Sequence, residues 1–199
     1  MASVSTPDFW TDLYTRGADG WDIRQPSPPL VDFMDRTPLA PGRVAVPGCG
    51  RGHDVRFLAR RGFAPVGFDF STAALAEARA LARTDNVAAE FVERDLFTLG
   101  GDYGHAFDGV WEYTCFCAID PRRRAEYVRT MRAILRPGGW LLACFFPMRR
   151  RAAGPPFAVS EREVRHLFAP GFRIERAYAP RSVRARQGQE WMALLRRVC

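Results

Sequence analysis

The sequence predicts a doubly wound α/β protein, a mostly parallel seven-stranded sheet with helices on both faces. From Arg43 onward, short apolar runs alternate with segments of helical periodicity. The first run leads through a glycine-rich turn directly into a helix, which is typical of Rossmann-like folds. We expect one domain over residues 1–199, with residues 1–40 forming a helical cap over a cofactor site and residues 41–199 forming the Rossmann-like core.

Two short helices are predicted ahead of the sheet. The first covers Phe9 to Tyr14, with Thr6 as its N-cap and Pro7 in its first turn. The second carries Leu30 to Met34 and stops near Pro38. Together they make up the expected cap.

Seven apolar runs are predicted as strands: Arg43–Val46, Pro65–Phe68, Ala89–Val92, Phe107–Trp111, Trp140–Phe146, Phe172–Ala179 and Gln189–Leu195. The fifth is apolar on both sides, which favours a central place in the sheet. Helices are predicted after the glycine turn, after the cap residue Ser71, and from Asp120-Pro121 to a stop at Pro137-Gly138-Gly139. A capping box of Ser160 with Glu163 begins the last helix.

Composition argues against nucleic-acid-binding, disulfide-rich, metal-binding, membrane and secreted classes of protein. The net charge is +7, but all 29 basic residues are arginine and they are scattered along the chain, so we expect a solvated basic surface and regard nucleic-acid binding as the less favoured reading. Five cysteines without CxxC spacing suggest reduced thiols, with no disulfide framework and no bound metal. Neither a membrane span nor a signal peptide is evident, and we expect a cytoplasmic monomer or weak dimer.

A glycine turn follows the first strand and is the first part of a predicted cofactor site. Gly48, Gly50 and Gly52 alternate with Cys49 and Arg51 in the order GxGxG. Glycine lets the backbone bend sharply and lets a ligand approach without a Cβ in the way. A dinucleotide-binding turn would need GxGxxG, whose third glycine is replaced here by His53.

Acidic residues at three predicted strand ends complete this site. Asp69, 21 residues after Gly48, is placed to accept hydrogen bonds from both hydroxyls of a ribose. Asp95 is placed to accept from an adenine amino group, and Glu112 ends the fourth strand at the same edge. Leu96 or Phe97 is expected to cover the adenine ring, and Phe70 is a further expected cofactor-binding residue. Three acids suit a cationic, ribose-bearing ligand, and S-adenosylmethionine fits that description.

Several motifs then resemble the thiopurine S-methyltransferase family, including its thiol and halide branch. The segments that carry the resemblance are Val46-Pro47 before the turn, Trp10 with Trp21 ahead of the sheet, Gly67-Phe68-Asp69, Cys117-Ala118-Ile119-Asp120-Pro121 and Gly154-Pro155-Pro156-Phe157. The resemblance covers nearly the whole chain. It implies methyl transfer from S-adenosylmethionine to a small, soft nucleophile such as a thiol, thiopurine, halide or chalcogen species, with Trp10 and Trp21 closing over the cofactor.

The methyl acceptor is expected after the fourth strand. By resemblance Arg124 lies near it, with the neighbouring Arg122 and Arg123 as alternatives in register. From their position after that strand, Tyr113 and Phe116 are expected to line its pocket. The arginine-bearing segment 149–154 is predicted to be a mobile lid. No catalytic histidine motif is evident, which a thiolate acceptor does not require. A nucleic-acid methyltransferase and a non-catalytic cofactor-binding protein remain alternatives.

Overall fold

A computed structural model describes residues 3–149 and 153–198. The helices are α1 Pro7–Thr15, α2 Pro28–Arg36, α3 His53–Arg60, α4 Thr72–Thr84, α5 Leu99–Asp102, α6 Arg124–Ile134 and α7 Glu161–Phe168. The strands are β1 Arg43–Pro47, β2 Ala64–Asp69, β3 Glu90–Glu93, β4 Phe107–Tyr113, β5 Leu135–Phe145, β6 Phe172–Tyr178 and β7 Trp191–Arg197. Residues 150–152, which form the middle of the predicted lid, lie outside the described ranges.

The seven strands form one sheet in the order β3-β2-β1-β4-β5-β7-β6. All neighbouring strands from β3 to β5 are parallel, whereas β7 is antiparallel to both β5 and β6. The predicted fold class is therefore confirmed. The order reverses direction at β1 and β4, and such a switch point is where doubly wound sheets bind ligands beyond the carboxyl ends of their strands.

Each face of the sheet is covered by helices that bury an apolar layer. Leu30, Leu58 and Leu75, from α2, α3 and α4, belong to one buried cluster. Tyr127 and Val164, from α6 and α7, belong to the other. Alternate residues of β1 divide between the layers, because successive side chains of a strand point to opposite faces.

Two element boundaries differ from the prediction. Helix α6 ends at Ile134, and β5 begins at the next residue rather than at Trp140, so the segment Pro137-Gly138-Gly139 interrupts a strand instead of ending a helix. The pairing of β4 with β5 shifts register there. Strand β4 continues to Tyr113, which places Glu112 inside the strand rather than at its tip.

None of the helices in the described ranges is long and apolar enough to cross a membrane.

Candidate active site

A cavity of about 690 Å³ opens at the carboxyl ends of β1 to β5, at the switch point. Ten of the residues that the sequence marks as site residues line it: Trp10, Trp21, Gly48, Cys49, Gly50, Asp69, Phe70, Asp95, Leu96 and Tyr113. The fold therefore brings together residues that are up to about a hundred positions apart in the chain. The volume is within the range usual for small-molecule sites.

The glycine turn forms the floor beneath this cavity. Gly48 and Gly50 adopt φ angles of +61° and +51°, which side-chain-bearing residues rarely adopt. A Cβ on Gly50 would lie 2.6 Å from the hydroxyl oxygen of Tyr14, and one on Gly48 would lie 2.9 Å from the sulfur of Cys115. Both positions thus require glycine for backbone conformation and for space.

Asp69, at the end of β2, is tied to the turn. Its Oδ2 accepts from the backbone N–H of Gly50 at 2.9 Å, and its Oδ1 accepts from the N–H of Ser71 at 2.9 Å. Burial raises the pKa of Asp69, and the two N–H groups oppose that shift. Each oxygen keeps a further lone pair for a ligand hydroxyl. Asp69 therefore both holds the turn and faces the cavity.

The tip of β3 supplies the next wall. The Oδ1 of Asp95 accepts from the N–H of Phe97 at 2.9 Å, which begins a short 3₁₀ turn. Leu96 and Phe97 follow it into the cavity wall, and the guanidinium of Arg123 lies 3.4 Å from the centroid of the Phe97 ring. This wall combines an acceptor with a flat apolar surface, which suits a purine ring.

Helix α1 and the turn after it contribute an aromatic group to the cavity wall. The Trp21 ring meets the Trp10 ring at 5.5 Å and the Tyr14 ring at 5.4 Å, both edge to face. Arg51 of the glycine turn forms ion pairs with Asp19, Asp22 and Glu77 and lies over Tyr14. Arg51 thus connects this aromatic group to both the turn and α4. Sequence reasoning missed Tyr14 and Arg51 as cavity residues, although Arg51 lies inside the glycine motif.

Two residues expected to bind the cofactor do not line the cavity. Gly52 also has a positive φ of +67°, but a Cβ there would meet the Phe91 ring at 2.5 Å, so this glycine serves helix–sheet packing. Glu112 is 1% exposed, and its oxygens accept from the N–H of Phe116 and the hydroxyl of Tyr127. The structure therefore does not support the cofactor-binding role that the sequence predicted for Glu112. Because β4 continues to Tyr113, the Glu112 side chain points into the core beneath the following loop.

Arg124, which the sequence placed near the acceptor, also lies outside the cavity wall. It is 2% exposed on its side chain and pairs with Glu163 of α7 at 2.7 Å. It donates to the carbonyl of Ala158 at 3.0 Å and lies over the Phe116 ring at 4.8 Å. The structure therefore does not place Arg124 at the cavity, because its Nη1 and Nη2 join α6 to α7 and to the segment before α7.

Arg186, unlike Arg124, is a cavity-lining arginine. It lies just before β7 and lines the cavity. Its Nη1 donates to the hydroxyl oxygen of Tyr113 at 2.6 Å, and its Nη2 donates to the carbonyl of Trp21 at 2.7 Å. Its guanidinium lies over the rings of Tyr113 and Phe146. Sequence reasoning missed it because several arginines share that segment and no local motif distinguishes one.

The charged wall residues that lack an ion-pair partner among the described residues lie at two different ends of the cavity. Within the described ranges, Arg51, Arg94 and Arg123 of the wall each pair with carboxylates, whereas Arg186 has none at ion-pairing distance. Asp69 and Asp95, at the β2 and β3 end, likewise have no basic partner. We call the side near Asp69 and Asp95 the acidic end and the side near Arg186 and Tyr113 the basic end.

Three cysteines in the wall do not act as competing nucleophiles. Burial raises the pKa of Cys49 and Cys115 well above the usual value, and that of Cys117 to about 12. They remain thiols near neutral pH, and the thiolate is the reactive form. The raised pKa values therefore lower the reactivity of these three thiols toward an electrophilic ligand.

Comparison with known proteins assigns the family. The family model described as thiopurine S-methyltransferase matches residues 5–196. This chain belongs to that family. It is 33% identical over 172 residues to a probable thiol methyltransferase 2 of Arabidopsis thaliana, covering 85% of this chain and 75% of the relative. It is 32% identical over 185 residues to thiocyanate methyltransferase 1 of Brassica oleracea, covering 91% and 81%.

A solved structure has the same architecture over almost the full length. This solved structure bears the description "Conversion of a Disulfide Bond into a Thioacetal Group during Echinomycin Biosynthesis". The two align with a TM-score of 0.81 and 26% identity, covering 97% of this chain and 93% of that one. As a member of the thiopurine S-methyltransferase family, this chain is a methyltransferase that uses S-adenosylmethionine. The glycine turn, the unpaired acids and the apolar wall fit a cationic adenosyl ligand.

Proposed function

We propose that this methyltransferase transfers the methyl group of S-adenosylmethionine to small thiols and related soft anions bound at the basic end of the cavity. The observation that carries this proposal is Arg186, a cavity-lining cation with no carboxylate at ion-pairing distance among the described residues. A buried cation lowers the free energy of a buried anion and so favours the thiolate form of an acceptor. The names of the relatives, thiol and thiocyanate methyltransferase, point to the same acceptors.

The acidic end holds the cofactor in this proposal. Asp69 accepts from the ribose hydroxyls, Asp95 accepts from the adenine amino group, and the turn at Gly48 and Gly50 lies against the rest of the ligand. The group supplies a methyl carbon activated by a sulfonium. Residues 1–40 act as the cap, with Trp10 and Trp21 excluding water from the reacting atoms.

A soft acceptor matches the chemistry of the basic end. The wall near Arg186 includes Cys117, Ile119 and Phe146, and it offers Tyr113 as a hydroxyl group. A small polarisable anion contacts such a wall without leaving many polar groups unpaired. In-line displacement then depends mainly on positioning and on the exclusion of water.

The cellular setting forms part of the proposal. Cys49, Cys115, Cys117 and Cys144 are free thiols, as expected of a protein in a reducing compartment. We place the enzyme in the cytoplasm as a monomer or weak dimer that acts on small molecules and not on nucleic acid.

The test is a substitution of the unpaired cation. Arg186→Gln is expected to raise the KM for thiocyanate by about 10- to 100-fold, because the loss of one charge-assisted contact corresponds to about 1.5–3 kcal/mol. Its dissociation constant for S-adenosylhomocysteine should stay within about threefold by calorimetry, since the acidic end is retained. Methylated product is measured by mass spectrometry.

The matched control is Arg173→Gln, because Arg173 is exposed on β6 and is absent from the cavity wall. It should leave both constants as in the wild type. Equal thiocyanate KM values in the Arg186 and Arg173 variants would refute the acceptor site. Wild-type protein that methylates neither an alkanethiol nor thiocyanate would refute the proposed acceptor class.

A further inference from the structure

Tyr113 connects the basic end of the cavity to a buried carboxylate. Its ring lines the cavity, and its hydroxyl lies 2.7 Å from Oε1 of Glu190, at the start of β7. The Nη1 of Arg186 donates to the same hydroxyl oxygen at 2.6 Å. A guanidinium only donates hydrogen bonds, so the single phenol proton of Tyr113 must point to Glu190. With one lone pair occupied by Arg186, the Tyr113 oxygen keeps a second lone pair that can accept from a bound acceptor.

Glu190 is reached from the cavity through Tyr113. It is 4% exposed and does not line the cavity, and its Oε2 has no hydrogen-bond partner among the described residues. The charged or titratable groups that face this pair are Arg186 and the Cys144 thiol of β5. Burial raises the pKa of Cys144 well above its usual value, so this thiol stays neutral. Burial likewise raises the pKa of Tyr113, so the phenol is protonated at rest.

Other potential bases of the wall are already engaged. Asp54 accepts from the N–H and the hydroxyl of Ser27 and from the indole of Trp111. Asp120 pairs with Arg122. His53 lies between Asp22 and Arg56, beside the glycine turn and away from Arg186. In the part of the chain that the structure describes, Tyr113 is the wall residue that joins a buried carboxylate to the unpaired cation.

We propose that Tyr113 and Glu190 form a proton relay that deprotonates neutral thiol acceptors, an inference that rests on the proposed function. The thiol proton passes to the Tyr113 oxygen while the phenol proton of Tyr113 passes to Glu190. The sulfur electron pair then forms the bond to the methyl carbon, as the bond from that carbon to the sulfonium breaks and leaves its electron pair on the departing sulfur. The proton on Glu190 returns through Tyr113 to solvent after the products leave.

A neutral thiol needs such a relay, whereas an anionic acceptor does not. A free alkyl thiol is mostly protonated near neutral pH, because its pKa resembles that of cysteine, about 8.5, or is higher. Arg186 stabilises the thiolate as it forms, and Glu190 stores the proton where water does not reach it. An acceptor that is already an anion, such as thiocyanate, has no proton to lose and does not need the relay.

The experiment compares those two acceptors in Glu190→Gln. The glutamine oxygen still accepts from Tyr113 but cannot take up its proton. With 1-propanethiol, kcat/KM is expected to fall about 100-fold or more, the usual contribution of a general base. This loss should shrink as the pH is raised toward the pKa of the thiol. With thiocyanate, kcat/KM should change by no more than about threefold.

Two additional measurements separate the relay from a structural role. Tyr113→Phe breaks the relay at its other link, so its loss of kcat/KM with 1-propanethiol should exceed its loss with thiocyanate, and the double variant should lose no more thiol activity than Tyr113→Phe alone. Iodide binding to the complex with S-adenosylhomocysteine, followed by tryptophan fluorescence, should tighten about threefold in Glu190→Gln because one negative charge is removed near Arg186. Glu175→Gln, on the exposed β6, is the matched control.

Two results would overturn the proton relay. Equal losses with the thiol and with thiocyanate in both variants would make Glu190 and Tyr113 structural residues and overturn the relay. Unchanged thiol turnover in folded Glu190→Gln would overturn it as well. Failure of the proposed function has a different signature, since the wild type would then methylate neither acceptor.

Discussion

The two ends of the cavity are built in different ways. The acidic end consists of consecutive parallel strand tips, with Asp69 after β2 and Asp95 after β3. The basic end draws Trp21, Tyr113 and Arg186 from three distant parts of the chain, and the Arg186–Trp21 hydrogen bond joins residues 165 positions apart. The acidic end therefore depends on local strand geometry, whereas the basic end depends on how the cap and the antiparallel β7 come together.

In the proposed function, the cofactor and the acceptor bind at these two differently built parts of the fold. Parallel strand tips form a fixed frame that suits an invariant ligand such as the cofactor. Loops and an inserted strand are easier to vary without disturbing the sheet, which suits the acceptor. Substitutions at each end should therefore affect different binding constants.

The largest effect is expected from Asp69→Ala at the acidic end. The dissociation constant for S-adenosylhomocysteine should rise about 100-fold or more, because the bidentate acceptor for the ribose is lost. The variant should also lose about 2–4 kcal/mol of unfolding free energy, since the N–H groups of Gly50 and Ser71 lose their acceptor. Calorimetry and urea denaturation measure the two quantities. A cofactor affinity equal to the wild type would remove Asp69 from the site.

A pH-dependent effect of roughly 3 kcal/mol is expected from Glu112, which supports the loop at the basic end. Burial raises its pKa from 4.5 in the unfolded chain to about 7 in the folded protein. The folded protein therefore holds the proton more tightly, and stability declines as the pH rises from about 4.5 through 7. Glu112→Gln should remove this part of the decline in urea denaturation at pH 5 and pH 8. Parallel pH profiles for wild type and variant would contradict it.

A smaller loss, of about 2–3 kcal/mol in unfolding free energy, is expected from Arg124→Ala. Glu163 is left without its cation, but it is partly exposed, so the cost is below that of a fully buried pair. The thiocyanate KM of the folded variant should match the wild type, in contrast to Arg186→Gln. A KM that rises as strongly as in Arg186→Gln would return Arg124 to the acceptor site.

The fold and the acidic end were largely predictable from the sequence. Strand periodicity and the turn at Gly48 and Gly50 are local signals, and the carboxyl ends of parallel strands share one edge of the sheet. Glu112 was misplaced because β4 continues two residues beyond the predicted end at Trp111, so the side chain of Glu112 follows the alternation of the strand into the core.

The basic end was not predictable in the same way. Arg124 and Arg186 have similar sequence surroundings, and only tertiary packing shows that one joins two helices while the other faces the cavity. Glu190 lies beside β7 without any motif, and its hydrogen bond to Tyr113 spans 77 positions. Contacts of that separation leave no periodic pattern in a single sequence.

The ion pairs of Arg51 have a consequence for turnover. Arg51 of the cofactor turn holds Asp19 and Asp22 of the N-terminal segment, so the aromatic group of the cavity wall is fastened by charge. In the proposed function, release of the spent nucleoside separates these largely buried charges, and dissolved ions stabilise the separated charges by screening. Product exchange should therefore become faster as ionic strength increases, even though the basic end binds small anions less tightly under the same conditions.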